Sequence, residues 1–273
     1  MSFPQVSNPT PEEETIEVKK TELKNVEKYE AIVTKRGLWA RILPKLSDRD
    51  KSRIAMHADD RKEFATFLDK ENTGFVRLHD TANCEDKNYV LDINNPCPWD
   101  ILGKATAYSF RKRKYQRIYF SDIRVAKEKI EIVGLNLLGF LTDLGAVDLE
   151  KISLQTNGIK EMWEYEPSNN INEVEKLFNL AKRGFKLNNS FYKTDLPIKL
   201  NTTYGLRSIA FEGKIYRKLD GIRVNLLGDD KRNDVTVVFR IIRKYEDGSY
   251  GILWRELQRK SAPKLKDDKQ ILK

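Results

Sequence analysis

Asp234-Val-Thr-Val-Val-Phe-Arg-Ile-Ile-Arg-Lys-Tyr245, Glu246-Asp-Gly248 and Ser249-Tyr-Gly-Ile-Leu-Trp-Arg-Glu-Leu257 are the stretch whose reading decides the fold. The two flanking segments are rich in β-branched and aromatic residues, which pack well on a pleated surface. A short polar connection ending in glycine suits a tight antiparallel reversal. A β-hairpin is therefore expected here, and the question becomes what pairs with it.

Working outward, the same signature recurs. Gly74-Phe-Val-Arg-Leu78, Asn88-Tyr-Val-Leu91, Thr106-Ala-Tyr-Ser-Phe-Arg111, Arg117 to Val125 and Lys129-Ile-Glu-Ile-Val133 are short and bounded by turn formers, as successive antiparallel strands would be. Glu150 to Thr156, with Ile152 and Leu154 alternating, reads as a further strand. Ile130 to Leu144 is the most apolar stretch but is broken by Glu131, Asn136 and Asp143. It reads as core, since a membrane helix needs about 18 or more apolar residues in a row.

Two regions follow helical spacing instead. Leu38, Trp39, Ile42 and Leu43 form a stripe that Pro44 stops; Ser47 is a candidate N-cap for a helical region reaching about Leu68, with a break near Asp59-Asp60. Farther on, Ile171, Val174, Leu177, Phe178 and Ala181 form a second stripe, with Asn170 or Asn172 as cap and Gly184 after Lys182-Arg183, the composition of a helix with both ends specified. The expected fold class is α+β: a helical N-terminal section, then mainly antiparallel β structure in one or two sheets, with a crossing helix near 171–183. The organisation expected is an acidic lead-in over 1–30, a helical section over 31–72, a β-rich domain over 73–262 and a basic tail over 263–273. Tyr108-Ser-Phe-Arg111 with Asp122-Ile-Arg-Val125, and Tyr204-Gly-Leu-Arg207 with Gly221-Ile-Arg-Val224, echo one another. Either chance or two similar β-rich halves, 73–165 and 185–262, would produce that echo.

The 273-residue chain carries 50 Lys+Arg against 41 Asp+Glu, a formal charge of +9. Residues 1–30 hold seven acids against four lysines, whereas residues 104–129 hold nine cations against Asp122 and Glu128. The densest run is Phe110-Arg-Lys-Arg-Lys-Tyr-Gln-Arg117. Arg111, Lys112, Arg113, Lys114, Arg117 and Arg124 are thus the candidate anion-binding residues, since cations with interleaved rings can hold phosphates and stack bases. The plainer reading is solvated charge on the connection of a hairpin, which also discourages edge-to-edge aggregation. An anionic polymer or surface is the partner class this charge allows.

Other chemistry is sparser. Asp69-Lys-Glu-Asn-Thr-Gly-Phe-Val-Arg-Leu-His-Asp80 resembles a calcium-binding loop, with Asp69, Glu71, Thr73 and Asp80 at liganding positions and Gly74 at the turn. Asp80 is shorter than the glutamate such loops use last, and no exiting helix follows. A helix, a turn and a strand from Phe75 is therefore preferred, with no cofactor expected and calcium as the alternative. The two histidines, His57 and His79, have no serine elbow to serve, and neither phosphate-loop nor dinucleotide glycine patterns occur. Asp59-Asp60 and Asp229-Asp230 are expected to be solvated. Trp163 and Trp254 are expected in a core or on a sheet face. Cys84 and Cys97 are disulfide candidates, which would indicate an oxidising compartment; the N-terminus lacks the pattern of a secretory signal.

Tyr108-Ser-Phe-Arg111, Asp143-Leu-Gly-Ala-Val-Asp-Leu-Glu150, Leu206-Arg-Ser-Ile209, Val238-Phe-Arg240 and Leu253-Trp254 together resemble a family of uncharacterised, exported bacterial β-rich proteins over roughly Thr73 to Leu265. The resemblance implies an exported β-rich domain, supports the pairing of Cys84 with Cys97, and carries no catalytic residues. The functional expectation is a noncatalytic binding or structural module, secreted or envelope-associated. A nucleic-acid or polyanion binder is the alternative, and a hydrolase whose site is dispersed along the sequence comes third.

Overall fold

The computed structural model describes residues 48–80, 105–116, 118–214, 216–219, 222–225, 227 and 230–266. The chain divides into two units at Ser47/Asp48, and all described residues belong to the second. Ser47, the stripe over 31–46, the strand expected at 88–91, Arg117, Asp229, both cysteines and the end of the basic tail lie outside the described residues.

The hairpin read from the sequence is the centre of the fold. Strands β13 (Asn233–Lys244) and β14 (Tyr250–Ser261) pair antiparallel, with register shifts at Thr236/Val237 and Ile241/Arg243. Gly248 closes the turn at φ 78, and its amide donates to the Tyr245 carbonyl. β1 (Thr73–Leu78) pairs outside β14, while β10 (Thr203–Ala210) and β6 (Leu137–Asp143) continue the sheet beyond β13. All pairings in this five-stranded sheet are antiparallel. A second five-stranded sheet has the order β3 (Lys114–Tyr115), β2 (Ala107–Ser109), β4 (Ile123–Ala126), β5 (Lys129–Ile132), β9 (Asp195–Pro197). Two hairpins stand apart, β7 (Phe185–Leu187) with β8 (Ser190–Tyr192) and β11 (Tyr216–Leu219) with β12 (Ile222–Asn225). The fold is α+β with antiparallel sheets, as expected. Strands from both sides of residue 165 contribute to each five-stranded sheet.

The strand period of two explains the layering. Tyr204 and Leu206 of β10, Val235, Val237, Phe239 and Ile241 of β13, and Tyr250, Ile252 and Trp254 of β14 pack toward Tyr108, Ile123, Val125 and Ile130 of the second sheet and Phe110 just after β2. The alternate residues Leu138, Phe140, Ile209, Val238 and Leu253 join a second core with helical side chains. The first sheet is thus apolar on both faces, and each fully buried Leu, Ile or Phe in it stabilises by roughly 1.5–3 kcal/mol.

Three short helices, α1 (Asp48–Ile54), α2 (Ala58–Glu63) and α3 (Ala65–Leu68), replace the long helical region read from the sequence. One break falls at 55–57, close to the one expected near Asp59-Asp60, and another at Phe64. His57 is extended (ψ 146) and its Nδ1 accepts from the Asp59 amide at 3.3 Å, so it caps α2 and ends what precedes it. α4 (Ile159–Glu164) and α5 (Ile171–Arg183) follow β6. α5 has the limits expected: the Asn170 side chain accepts from Asn172 N at 2.9 Å, and Gly184 takes φ 85. The strand expected over Glu150–Thr156 is instead a 3-10 turn at Leu149–Lys151 followed by irregular chain. Leu149 and Ile152 are the buried pair there, a spacing of three rather than two, and the Asp148 carboxylate accepts from Glu150 N at 3.1 Å.

Candidate functional site

Four of the six cations that the sequence offered for anion binding are already engaged within the protein. β2 ends at Ser109, Arg113 takes φ 53 to reverse the chain, and Lys114–Tyr115 return as β3. The run therefore contains its own turn and short strand. It is not a loop between two long strands, because Ile118–Phe120 form a 3-10 turn before β4 begins. Arg111 points inward: its Nε lies 2.6 Å from Asp122 Oδ1 and its Nη1 2.8 Å from Asp230 Oδ2, with none of the three side chains exposed. Asp122 also accepts from Ser208 Oγ at 2.6 Å and Ser109 Oγ at 3.2 Å. Lys112 Nζ is 3.3 Å from Asp230 Oδ1, and Arg113 reaches Asn72 and Glu256. Arg124 pairs across the strands with Glu131 at 2.7 Å. Lys114 is exposed.

The expectation of solvated aspartates is corrected on two of them. Asp230 sits between Arg111 and Arg232; burial alone would raise its pKa, but these guanidiniums hold it below the usual carboxylate range. Asp60 is buried and accepts both Nε and Nη2 of Arg243 at 2.6 Å. Burial of a carboxylate is tolerable when a guanidinium satisfies both oxygens in this way. A further pair escaped the sequence reading. Arg207 of β10 holds Asp234 through Nε at 2.9 Å and Nη2 at 2.6 Å, and its Nη1 donates to the carbonyls of Met162, Trp163 and Tyr165. A guanidinium thus ends α4 where carbonyls lack helical partners.

The calcium-like residues take different directions. Asp69 follows α3, and Thr73 Oγ1 donates to the carbonyls of Phe67 and Lys70 at 3.0 and 2.7 Å. β1 then carries the chain away to Asp80, whose two carboxylate oxygens accept from the amides of Lys127 and Glu128 at 2.8 and 2.7 Å. Those two residues have φ 52 and 56, the left-handed pair of a tight hairpin turn between β4 and β5. Among the described residues no three His, Cys, Asp or Glu side chains gather as a metal-binding set.

His79 is buried beside Asp247, with Nδ1 3.9 Å from Oδ2 and Nε2 3.3 Å from the Arg53 carbonyl. Burial lowers its pKa, with Asp247 opposing. Ser249 is close to the same carboxylate, but its Oγ donates to Asp247 Oδ1 at 2.5 Å and accepts from Arg77 Nε at 2.7 Å. The carboxylate holds the serine directly, whereas nucleophile activation needs the imidazole between them. Trp254 is in the core as expected, and Trp163 carries Lys260 Nζ 3.6 Å above its ring.

A different surface gathers outward-facing groups. Residues 176–194 contain five cations and no Asp or Glu, a charge pattern legible in the sequence but overshadowed there by the denser run at 111–117. Lys176, Asn179, Lys182 and Arg183 line an open depression on α5. Val174 and Ala181, on the opposite face of that helix, are buried. Beyond Gly184 the β7–β8 hairpin adds exposed Lys186 and its cross-strand partner Phe191 on one face, while exposed Leu187 lies on the other face with Ser190; Leu180 of the helix is exposed as well. Lys193 is the exception, paired with Asp195 at 2.9 Å. Among the described residues no acid pairs with Lys176, Lys182, Arg183 or Lys186. The hairpin is tied to α4 where Glu161 meets Asn188 Nδ2 at 3.2 Å and the Gly158 amide at 2.7 Å. This surface can offer cations and apolar side chains together to a partner.

Compared with known proteins, the chain matches no family model, no curated protein and no solved structure.

Proposed function

We propose that this chain is a noncatalytic binding module that meets an anionic polymer or surface through α5 and the β7–β8 hairpin. The carrying observation is the contrast between its two basic regions. Arg111, Lys112, Arg113 and Arg124 face carboxylates of the same chain, so an external anion would have to displace them. Lys176, Lys182, Arg183 and Lys186 are exposed and pair with no acid among the described residues, with Glu173 and Glu175 exposed on the same helix; a polyanion gains attraction there without breaking an ion pair. The helix dipole favours cations at its C-terminal end, so Lys182 and Arg183 remain compatible with a stable α5 even with no ligand bound.

Retention on immobilised heparin tests the reading. The wild-type protein should be held at low ionic strength and released by salt, and K182E/R183E should be released at clearly lower salt while melting as the wild type does. Equal retention of the two proteins would contradict it. The same reading puts the protein in a secreted or envelope-associated setting, where Cys84 and Cys97 would be bonded to each other. Alkylation of the unreduced, denatured protein checks this: both thiols should be protected, and labelling of both would oppose it.

A further inference from the structure

We propose that the partner of this face is the surface of an anionic lipid bilayer, met peripherally, with Leu180 and Phe191 entering the headgroup region while Lys176, Lys182, Arg183 and Lys186 meet lipid phosphates. The inference rests on the binding face described above and adds its partner. Lys176, Asn179, Leu180 and Arg183 stand at i, i+3, i+4 and i+7, one face of α5, and Asn179, Leu180 and Arg183 are exposed together with Lys176. Val174, Leu177, Phe178 and Ala181 occupy the opposite face and pack in the core, so the outward face is fixed in orientation by the fold. Gly184 turns the chain at φ 85 into the hairpin, and Phe191 lies against it: a Cβ added to Gly184 would come 2.4 Å from the Phe191 Cζ. Phe191 nevertheless remains 42% exposed and Leu180 38%.

Charge complementarity selects the anion, and the apolar groups select its form. A soluble polyanion would reward the four cations and a stacked ring, but it offers no apolar medium for Leu180. A bilayer interface takes both kinds of group, because lysine and arginine stay at phosphate level while leucine and phenylalanine reach the acyl boundary. No described helix is long and apolar enough to cross a membrane, which agrees with contact from one side through exposed tips. Glu161, beside the hairpin, is engaged by the Gly158 amide and by Asn188, and Asp195 by Lys193, while Glu175 is exposed on α5.

Co-sedimentation of the full chain with vesicles decides the matter, run beside the heparin column. Wild-type protein should sediment with vesicles of phosphatidylcholine containing phosphatidylglycerol and stay in solution with phosphatidylcholine alone. L180S/F191S should lower vesicle partitioning by about tenfold with heparin retention unchanged, and K182E/R183E should lower both. Heparin retention without vesicle binding would overturn the bilayer inference and leave the binding face standing. Vesicle binding unaffected by L180S/F191S would also overturn it, since no apolar insertion would then be involved. Failure to bind either probe would remove both proposals.

Discussion

Asp122 receives the Arg111 guanidinium at 2.6 Å with neither side chain exposed, and the same carboxylate accepts from Ser208 on β10 at 2.6 Å. One aspartate therefore ties the start of β4 to the end of β2 and to the central sheet. Removing it strands a buried guanidinium with only Asp230 to balance it. Asp122→Ala should cost roughly 3–5 kcal/mol, measured by urea unfolding, whereas a combined Arg111→Met and Asp122→Leu change should cost clearly less than the single substitution. Asp230 adds a pH signature. Its pKa is depressed in the folded state, so its stabilisation is complete above the ordinary carboxylate pKa of about 3.9 and is lost as the pH falls through the lower folded value.

Arg207 performs a comparable task on the other face of the central sheet. It holds Asp234 with two nitrogens and the carbonyls at the end of α4 with the third. Arg207→Lys keeps the charge but not the fork, and should cost about 2–4 kcal/mol. Hydrogen exchange should show added opening in α4 beyond that in β13; uniform loss of protection would contradict a specific role for the helix end.

His79 should make stability depend on pH near neutrality. Burial lowers its pKa below the ordinary value of 6.5, so the unfolded chain binds its proton first as the pH falls. Stability is then full above about pH 6.5 and declines through the window down to the lower folded pKa. His79→Gln should flatten urea-unfolding free energies over that window. An unchanged pH slope would contradict the assignment.

Gly74 is required by packing rather than by its backbone angle. A Cβ there would sit 2.6 Å from Cζ2 of the Trp254 indole, whose ring lies in the core between the sheets. Gly74→Ala should destabilise by roughly 1–3 kcal/mol through overpacking, with a shift in tryptophan fluorescence as the ring moves.

How much of this was legible depended on whether the signal was local. The β13–β14 hairpin and α5 could be read because turn residues, caps and apolar period agree within each segment. Glu150–Thr156 misled because Ile152 and Leu154 alternate while burial there follows Leu149 and Ile152. The pairs Arg111–Asp122 and Arg207–Asp234 join residues 11 and 27 positions apart, distances over which sequence pattern gives no pairing rule. The basic run was visible, but its neutralisation was not, since Asp230 and Glu256 arrive from distant strands and loops. The face at 176–193 left only a weaker mark, a lack of acids.

The central claim is that the outward basic face on α5 and β7–β8, and not the run at 111–117, meets the anionic partner. Side-by-side salt elution of R113E/K114E and K182E/R183E from immobilised heparin tests it most directly. The account predicts that R113E/K114E elutes close to wild type and that K182E/R183E elutes at markedly lower salt. The reverse order would contradict it.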